Sequence, residues 1–427
     1  MTASAQKSAP KRQESAYGTE VVHRWADLKE FHDASDHGDG YHVIEGAHGA
    51  PLELLAIGRP FEQASGAVMV VFSGAVGKRK ERKPPFVSGR ALGPKLGVPL
   101  IAISDPSLAM GAEFNIAWYA GSVFQDVQRA VDELLRPLAV RLDGDLWLVG
   151  GSAGGFGALQ TAHRLGRYCS AFVWNPQTDV ASYMPLYARR YGQIAFPQLE
   201  GRLGGKNWKS LLRKEARVHN RCVDLVRETI PAQSPRRLLY LQGVTDSHLK
   251  VHCVPYMQAH GYRRHSPGLW TRGANQVIWQ AEAGVGHAPP RAEAIQAILT
   301  RLMAPDDATV LERVEQLDEA PTFEERAVAE RPAALETQAE LLSELLSWRV
   351  TGRRIVAESK RLPAGFGRLR WSAAVRGAKN EELSKSTPTE IPGEWWVPSL
   401  EDADHVNIVL TDGFGKVLLR KDLPLAT

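Results

Sequence analysis

The chain has 427 residues, of which 44% are hydrophobic and 23% charged, with a formal net charge of +4. This composition excludes a mainly disordered chain, and so small a charge excludes a dedicated nucleic-acid binder. At roughly 150 residues per domain the length allows two or three domains, although one large α/β domain can absorb about 250.

Residues 1–20 are small and polar and read as a disordered tail with no apolar secretory core. No run approaches the ~18 apolar residues of a membrane span, so a cytoplasmic protein is expected. Cys169, Cys222 and Cys253 are odd in number and never in CxxC spacing, which argues against a disulfide framework or a cysteine zinc site. GYHVIEG (40–46) and PLELLAIG (51–58) flank turn residues and read as a hairpin. Buried-type strands follow at 67–72, 98–103, 145–150, 170–174, 237–243 and 276–282, with helical patterns at 122–139, 153–166 and 290–303. Near-continuous apolar strands alternating with helices mean a mostly parallel sheet covered on both faces. The hairpin and these six strands predict an eight-stranded sheet. Residues 180–232 lack a clear buried strand and read as a helical cap insertion.

The composition changes near residue 304. Between Ala304 and Ser347 twelve acidic residues face three arginines, with apolar residues at helical spacing. This reads as an acidic helical connector with a solvated charged face. From Trp348 the pattern becomes β-like, ending in HVNIVL-TDGFG-KVLLRK, a hairpin signal. A small β-sandwich over 348–427 is expected. There Trp371, Trp395 and Trp396 read as core residues, with sugar stacking as the alternative.

The segment DLWLVGGSAGGFGALQTAHRLG (145–166) runs an apolar strand into Gly150-Gly151-Ser152-Ala153-Gly154 and then a helix. Strand, G-x-S-x-G and helix together form the pattern of a nucleophile elbow. Such a turn projects the Ser152 hydroxyl above the sheet edge. The Ala153 amide, at the start of the helix, is a candidate oxyanion donor.

With these residues, the chain resembles an α/β-hydrolase over 38–303. Its Ser152–Leu159 run is similar to the S-x-G-G-x-G-A-L run of esterase-D-like hydrolases and acyltransferases. SDPSL (104–108) and VWNPQTD (173–179) resemble bacterial surface-glycan biosynthesis hydrolases, including the O-acetyltransferase component of accessory secretion systems. In this fold the order is serine, acid, histidine. His287 follows the last strand between glycines and prolines. Asp246 follows the preceding strand, where the resemblance places the acid. Asp179 is the competing acid, and a helix-capping turn is the plain alternative for Asp246. The second oxyanion donor is expected from Gly74 or Ala75, in a loop that departs from the HGGG type.

His248 and His252 stand four apart near Asp246, but without an HExxH glutamate a metal site is not expected. His248 is instead a candidate substrate contact or a helix-start residue. Lys78 and Arg79 open a basic loop, and the insertion carries nine Lys or Arg against two Glu between Ala181 and Arg221. Such a rim would attract an anionic substrate such as an acidic glycan or acyl carrier. A solvated surface, or pairing with the acidic connector, is the alternative.

The expectation is therefore a serine hydrolase that cleaves a small-molecule or glycan ester through an acyl-enzyme on Ser152, His287 and Asp246. It needs no cofactor. The C-terminal β-domain is a candidate surface for a protein partner. The rival readings are an O-acyltransferase with the same residues, a non-catalytic glycan-binding or assembly protein on a hydrolase fold, and a peptidase.

Overall fold

A computed structural model describes residues 14–46, 48–111, 113–227, 234–266, 268–281, 283, 286–318, 342–343, 346–359, 369–391, 393–411 and 417–425. Most of the expected tail, the greater part of the acidic connector and the tip of the last hairpin lie outside the described residues.

Among the described residues, one sheet has eleven strands. They are β1 (Val22–Trp25), β2 (Gly40–Ile44), β3 (Leu52–Ile57), β4 (Val68–Phe72), β5 (Leu100–Ile103), β6 (Leu146–Gly151), β7 (Cys169–Trp174), β8 (Arg237–Gly243), β9 (Arg263–Ser266), β10 (Leu269–Thr271) and β11 (Gln276–Ala281). Their order is β1-β2-β3-β5-β4-β6-β7-β8-β11-β10-β9. The central pairs from β5 to β11 are parallel, and β2–β3 is the expected antiparallel hairpin. This is an α/β-hydrolase fold with a mostly parallel sheet.

The eight-strand expectation is corrected to eleven. The extra β1 pairs parallel with β2 at one edge, and β9 and β10 pair antiparallel at the other. These strands have three or four residues, and β9 reads RRHS, so they carry no apolar run to find.

Alternation along the central strands divides the core between two faces. Val70 and Phe72 of β4 face the helices α3 (Val127–Leu142) and α4 (Ser152–Leu165). Met69 and Val71 face the other side, with α8 (Ala292–Leu302) and α9 (Val310–Asp318). A period of two in a fully buried strand gives both layers an apolar surface. The short helices α1 (Leu28–Asp33), α2 (Leu92–Leu96) and α7 (Val254–Ala259) complete the covering. The insertion forms helices α5 (Pro185–Ala195) and α6 (Trp208–Val218).

Helix α9 occupies the first part of the acidic segment. Val310, Val314 and Leu317 are buried against the sheet layer, each contributing about 1.5–3 kcal/mol over exposure. Arg313 is fully buried. Its guanidinium donates to the carbonyls of Arg301 (3.0 Å), Leu302, Asp306 (2.6 Å) and Ala308 (2.8 Å). Residues 310–318 thus pack with the hydrolase core.

The C-terminal part has two antiparallel sheets. One joins β12 (Leu346–Thr351), β13 (Arg354–Ser359) and β17 (Gly393–Trp396). The other joins β14 (Arg370–Gly377), β15 (Glu382–Lys385), β16 (Thr389–Glu390), β18 (Ala403–Thr411) and β19 (Val417–Pro424). Ile355 and Ala357 from the first share a core with Trp371, Val375 and Ile408 from the second. Trp371 is therefore core, whereas Trp396 is 63% exposed.

Candidate active site

Strand β6 passes into α4 at Ser152, whose φ of +55° is rare for a residue with a side chain. The flanking glycines make this turn possible. A Cβ on Gly150 would lie 2.5 Å from the Gly154 carbonyl oxygen, and one on Gly154 would lie 2.2 Å from that of Phe72. Strand β4, the elbow and α4 can approach so closely only without those side chains. The hydroxyl is thereby held at the carboxyl edge of the sheet.

His287, in the loop between β11 and α8, places Nε2 2.8 Å from Ser152 Oγ. Its Nδ1 lies 2.6 Å from Asp246 Oδ2. Asp246 follows β8 and is buried, and its Oδ1 accepts from the His248 amide at 2.9 Å. An ionised carboxylate only accepts, so Nδ1 carries the ring proton and Nε2 is free to accept from the serine. This arrangement can move a proton from Oγ to the imidazole. Asp179 is elsewhere. Its carboxylate accepts from the Ala181 amide (3.0 Å), Arg227 (3.2 Å) and Arg213.

The cleft beside Ser152 has a volume of about 740 Å³ and includes Gly74, Ala75 and His287 in its walls. That size suits a small-molecule ligand. The Ala153 amide lies in the first turn of α4, where amides have no intrahelical partner. Behind Gly74, the Ser73 amide donates to Tyr119 Oη (2.7 Å), which donates to the Ile103 carbonyl (2.8 Å). The Tyr119 amide in turn donates to Asp105 at 2.7 Å. Burial pushes the Asp105 carboxyl up to about 6, against the lowering effect of the Tyr119 and Ser107 amides. The SDPSL segment thus braces the candidate oxyanion loop.

The other expected substrate contacts stand apart from this cleft. Lys78 points to solvent near Glu81 (3.9 Å). Arg79 donates to the carbonyls of Phe114 (3.1 Å), Arg82 (2.9 Å) and Leu108 (2.9 Å), and its guanidinium sits 4.6 Å from the Phe86 ring centre. It fastens the basic loop down. The cations on the cleft wall are Arg90 and Lys95.

His248 is buried behind the histidine, with ring centres 4.0 Å apart. Its Nδ1 lies 3.2 Å from the Asn175 carbonyl. Burial and the nearby His252 lower its pKa to about 3, so the ring is neutral. Donor atoms of Asp246, His248 and His287 all lie within 4.8 Å of one another, the one such group among the described residues. A metal ion there would compete with the proton shared by Asp246 and His287.

Sequence reasoning missed Gln177, a fully buried residue in the loop after β7. Its Nε2 lies 2.9 Å from Ser152 Oγ. Its Oε1 accepts from Trp118 Nε1 at 2.7 Å. It lies within the VWNPQTD segment, but nothing in that resemblance singles out the glutamine, and only the fold brings it to the serine.

No protein-family model and no curated protein matches the chain. Among solved structures, it is similar to the capsule O-acetyltransferase of Neisseria meningitidis serogroup A, at 13% identity. That alignment covers 63% of this chain and 97% of the other, with a TM-score of 0.41. An acetyl xylan esterase from Paenibacillus sp. R4 is 15% identical over 61% of this chain and 82% of its own, with a TM-score of 0.40. An S-formylglutathione hydrolase from Agrobacterium tumefaciens is 14% identical over 58% and 88%, with a TM-score of 0.33. These likenesses concern the fold. No helix among the described residues is long and apolar enough to cross a membrane.

Proposed function

We propose that this protein is a serine hydrolase that cleaves a carboxylic ester through an acyl-enzyme on Ser152. The observation that carries the reading is the chain of contacts Ser152 Oγ–His287 Nε2 (2.8 Å) and His287 Nδ1–Asp246 Oδ2 (2.6 Å) beside a cleft. A serine hydroxyl is a weak nucleophile until a base takes its proton. In this mechanism Oγ attacks the ester carbonyl while its proton passes to His287. Asp246 holds the imidazole tautomer and stabilises the imidazolium. The amides of Ala153 and of Gly74 or Ala75 receive the oxyanion. The carbon–oxygen bond of the alcohol then breaks, and His287 returns the proton to the leaving oxygen. Water, activated by the same histidine, resolves the acyl-serine. A hydroxyl acceptor in place of water makes the same machinery an O-acyltransferase.

The cleft also informs the substrate. Phe72, Leu92, Trp174 and Ile295 give it apolar walls, and Lys95 adds positive charge beside Arg90, which pairs with Glu20. An ester with an apolar portion and an anionic group fits this lining. The test is labelling by a fluorophosphonate probe. Wild type is expected to label, whereas Ser152→Ala and His287→Ala are not. A folded wild type that resists the probe, or labelling that survives Ser152→Ala, refutes the mechanism.

A further inference from the structure

Gln177 is fully buried, and both ends of its amide are engaged. An indole N–H only donates, so the end facing Trp118 is the carbonyl oxygen. The end facing Ser152 is therefore the NH₂ group. Ser152 Oγ has one proton, which it gives to His287, and it accepts from Gln177 with a lone pair. We propose that Gln177 is a further catalytic residue, an electrophilic donor to the nucleophilic oxygen itself, and that Trp118 is its positioning residue. The proposal rests on the acyl-serine reading above.

Two opposed effects must be weighed. A donor to Oγ ties up a lone pair in the resting enzyme, which slows attack. The same bond strengthens as negative charge builds on Oγ, because bonds to ionised acceptors are roughly twice as strong as neutral ones. Only the difference between the two states accelerates the reaction. Oγ carries partial negative charge only while its proton is leaving and its bond to carbon is incomplete, so the proposal requires that the gain in this transition state exceed the lone pair tied up at rest. As the Oγ–carbon bond forms, the hydroxyl proton goes to His287 Nε2, and Gln177 keeps both of its own.

The loop that presents Gln177 is fixed from several sides. The Gln177 amide donates to the Ser152 carbonyl (3.2 Å). Asn175, at φ +43°, accepts from the Gly243 amide through Oδ1 (2.6 Å). The Thr178 amide donates to His252 Nδ1 (3.2 Å), and its hydroxyl to the His252 carbonyl (2.9 Å). Trp118 is itself held at φ +58°. Backbone strain retained in surroundings this tightly bonded is typical of a residue placed for function. A donor fixed in advance needs no reorganisation when the charge appears.

The experiment measures the second-order rate of fluorophosphonate labelling against pH, which reads the acylation step alone. Gln177→Met keeps the size but removes the donor, and a roughly 10- to 100-fold loss is expected. Trp118→Phe frees the amide to turn, and a smaller loss is expected. Gln177→Glu presents a carboxylate that takes the serine proton and repels the developing charge. Its rate relative to wild type should be lowest at neutral pH and recover toward the wild-type value as the carboxyl gains a proton. Wild-type rate and pH profile in folded Gln177→Met overturn the proposal. If Gln177→Met does not fold, an unchanged profile in Gln177→Glu and unchanged rate in Trp118→Phe overturn it equally. A wild type that never labels overturns the acyl-serine reading, and this proposal with it.

Discussion

Three buried neutral histidines make this fold sensitive to acid, and His252 is the one to test. It is fully buried, with Nδ1 accepting from the Thr178 amide. Burial, aided by His287 and Lys209, lowers its pKa from 6.5 to about 3. His42 and His248 are likewise lowered to about 3, both chiefly by burial. The folded state refuses a proton that the unfolded chain accepts, so stability present above pH 6.5 is lost as pH falls toward 3. At about pH 5 the unfolded chain binds nearly one more proton per histidine than the folded one. Integrated from neutral pH, that costs roughly 2 kcal/mol for each and roughly 6 kcal/mol for three. Typical domain stabilities are about 5–15 kcal/mol, so the loss is large. In His252→Asn the amide oxygen replaces Nδ1 as acceptor for Thr178, and nothing titrates. Urea unfolding at several values between about pH 7.5 and 5 should show a shallower decline for this variant, by roughly 2 kcal/mol at the acid end. Parallel curves for variant and wild type would refute the reasoning.

Three further outcomes follow from the contacts at the elbow and behind it. Asp246→Asn should reduce the rate of an activated ester roughly 10³- to 10⁴-fold, by offering His287 the wrong tautomer partner. Asp179→Asn should leave that rate within about threefold but cost about 3 kcal/mol, because Arg213 and Arg227 lose a buried partner. Equal activity losses in the two variants would contradict this assignment of the acid. Gly154→Ala should cost roughly 3 kcal/mol or more, since its Cβ would stand 2.2 Å from the Phe72 carbonyl. Thermal unfolding at the wild-type midpoint would contradict the close approach.

Much of the core was legible because its constraints are local. β4, β6 and β7 each carry at least five apolar or small residues in a row and β8 carries four, as strands buried on both faces must. The elbow was legible because one short turn needs glycine at fixed offsets around Ser152. Asp246 and His287 could be proposed because they follow β8 and β11, whose parallel strands end on the same edge of the sheet as β6. Other features depend on tertiary partners. β9 is a strand because β10 offers it an edge, and nothing in RRHS says so. Lys78 and Arg79 lie in the loop after β4, yet Arg79 satisfies nearby carbonyls that no sequence pattern announces. Gln177 meets Ser152 across 25 positions and becomes visible only when Trp118 arrives from a third segment.

The change of composition at residue 304 is a misleading place to divide this protein. Arg313 reaches back to the last carbonyls of α8, groups that a helix cannot satisfy by itself. It works as a rivet: one side chain, contributed from beyond the apparent boundary, closes the end of the preceding helix. A chain cut after Met303 would leave those carbonyls without their donor and uncover the apolar surface beneath Val310 and Val314. The cooperative unit therefore extends into the acidic segment. The opening of that segment is inherited by the half of the molecule that holds Ser152, whatever its charge would imply.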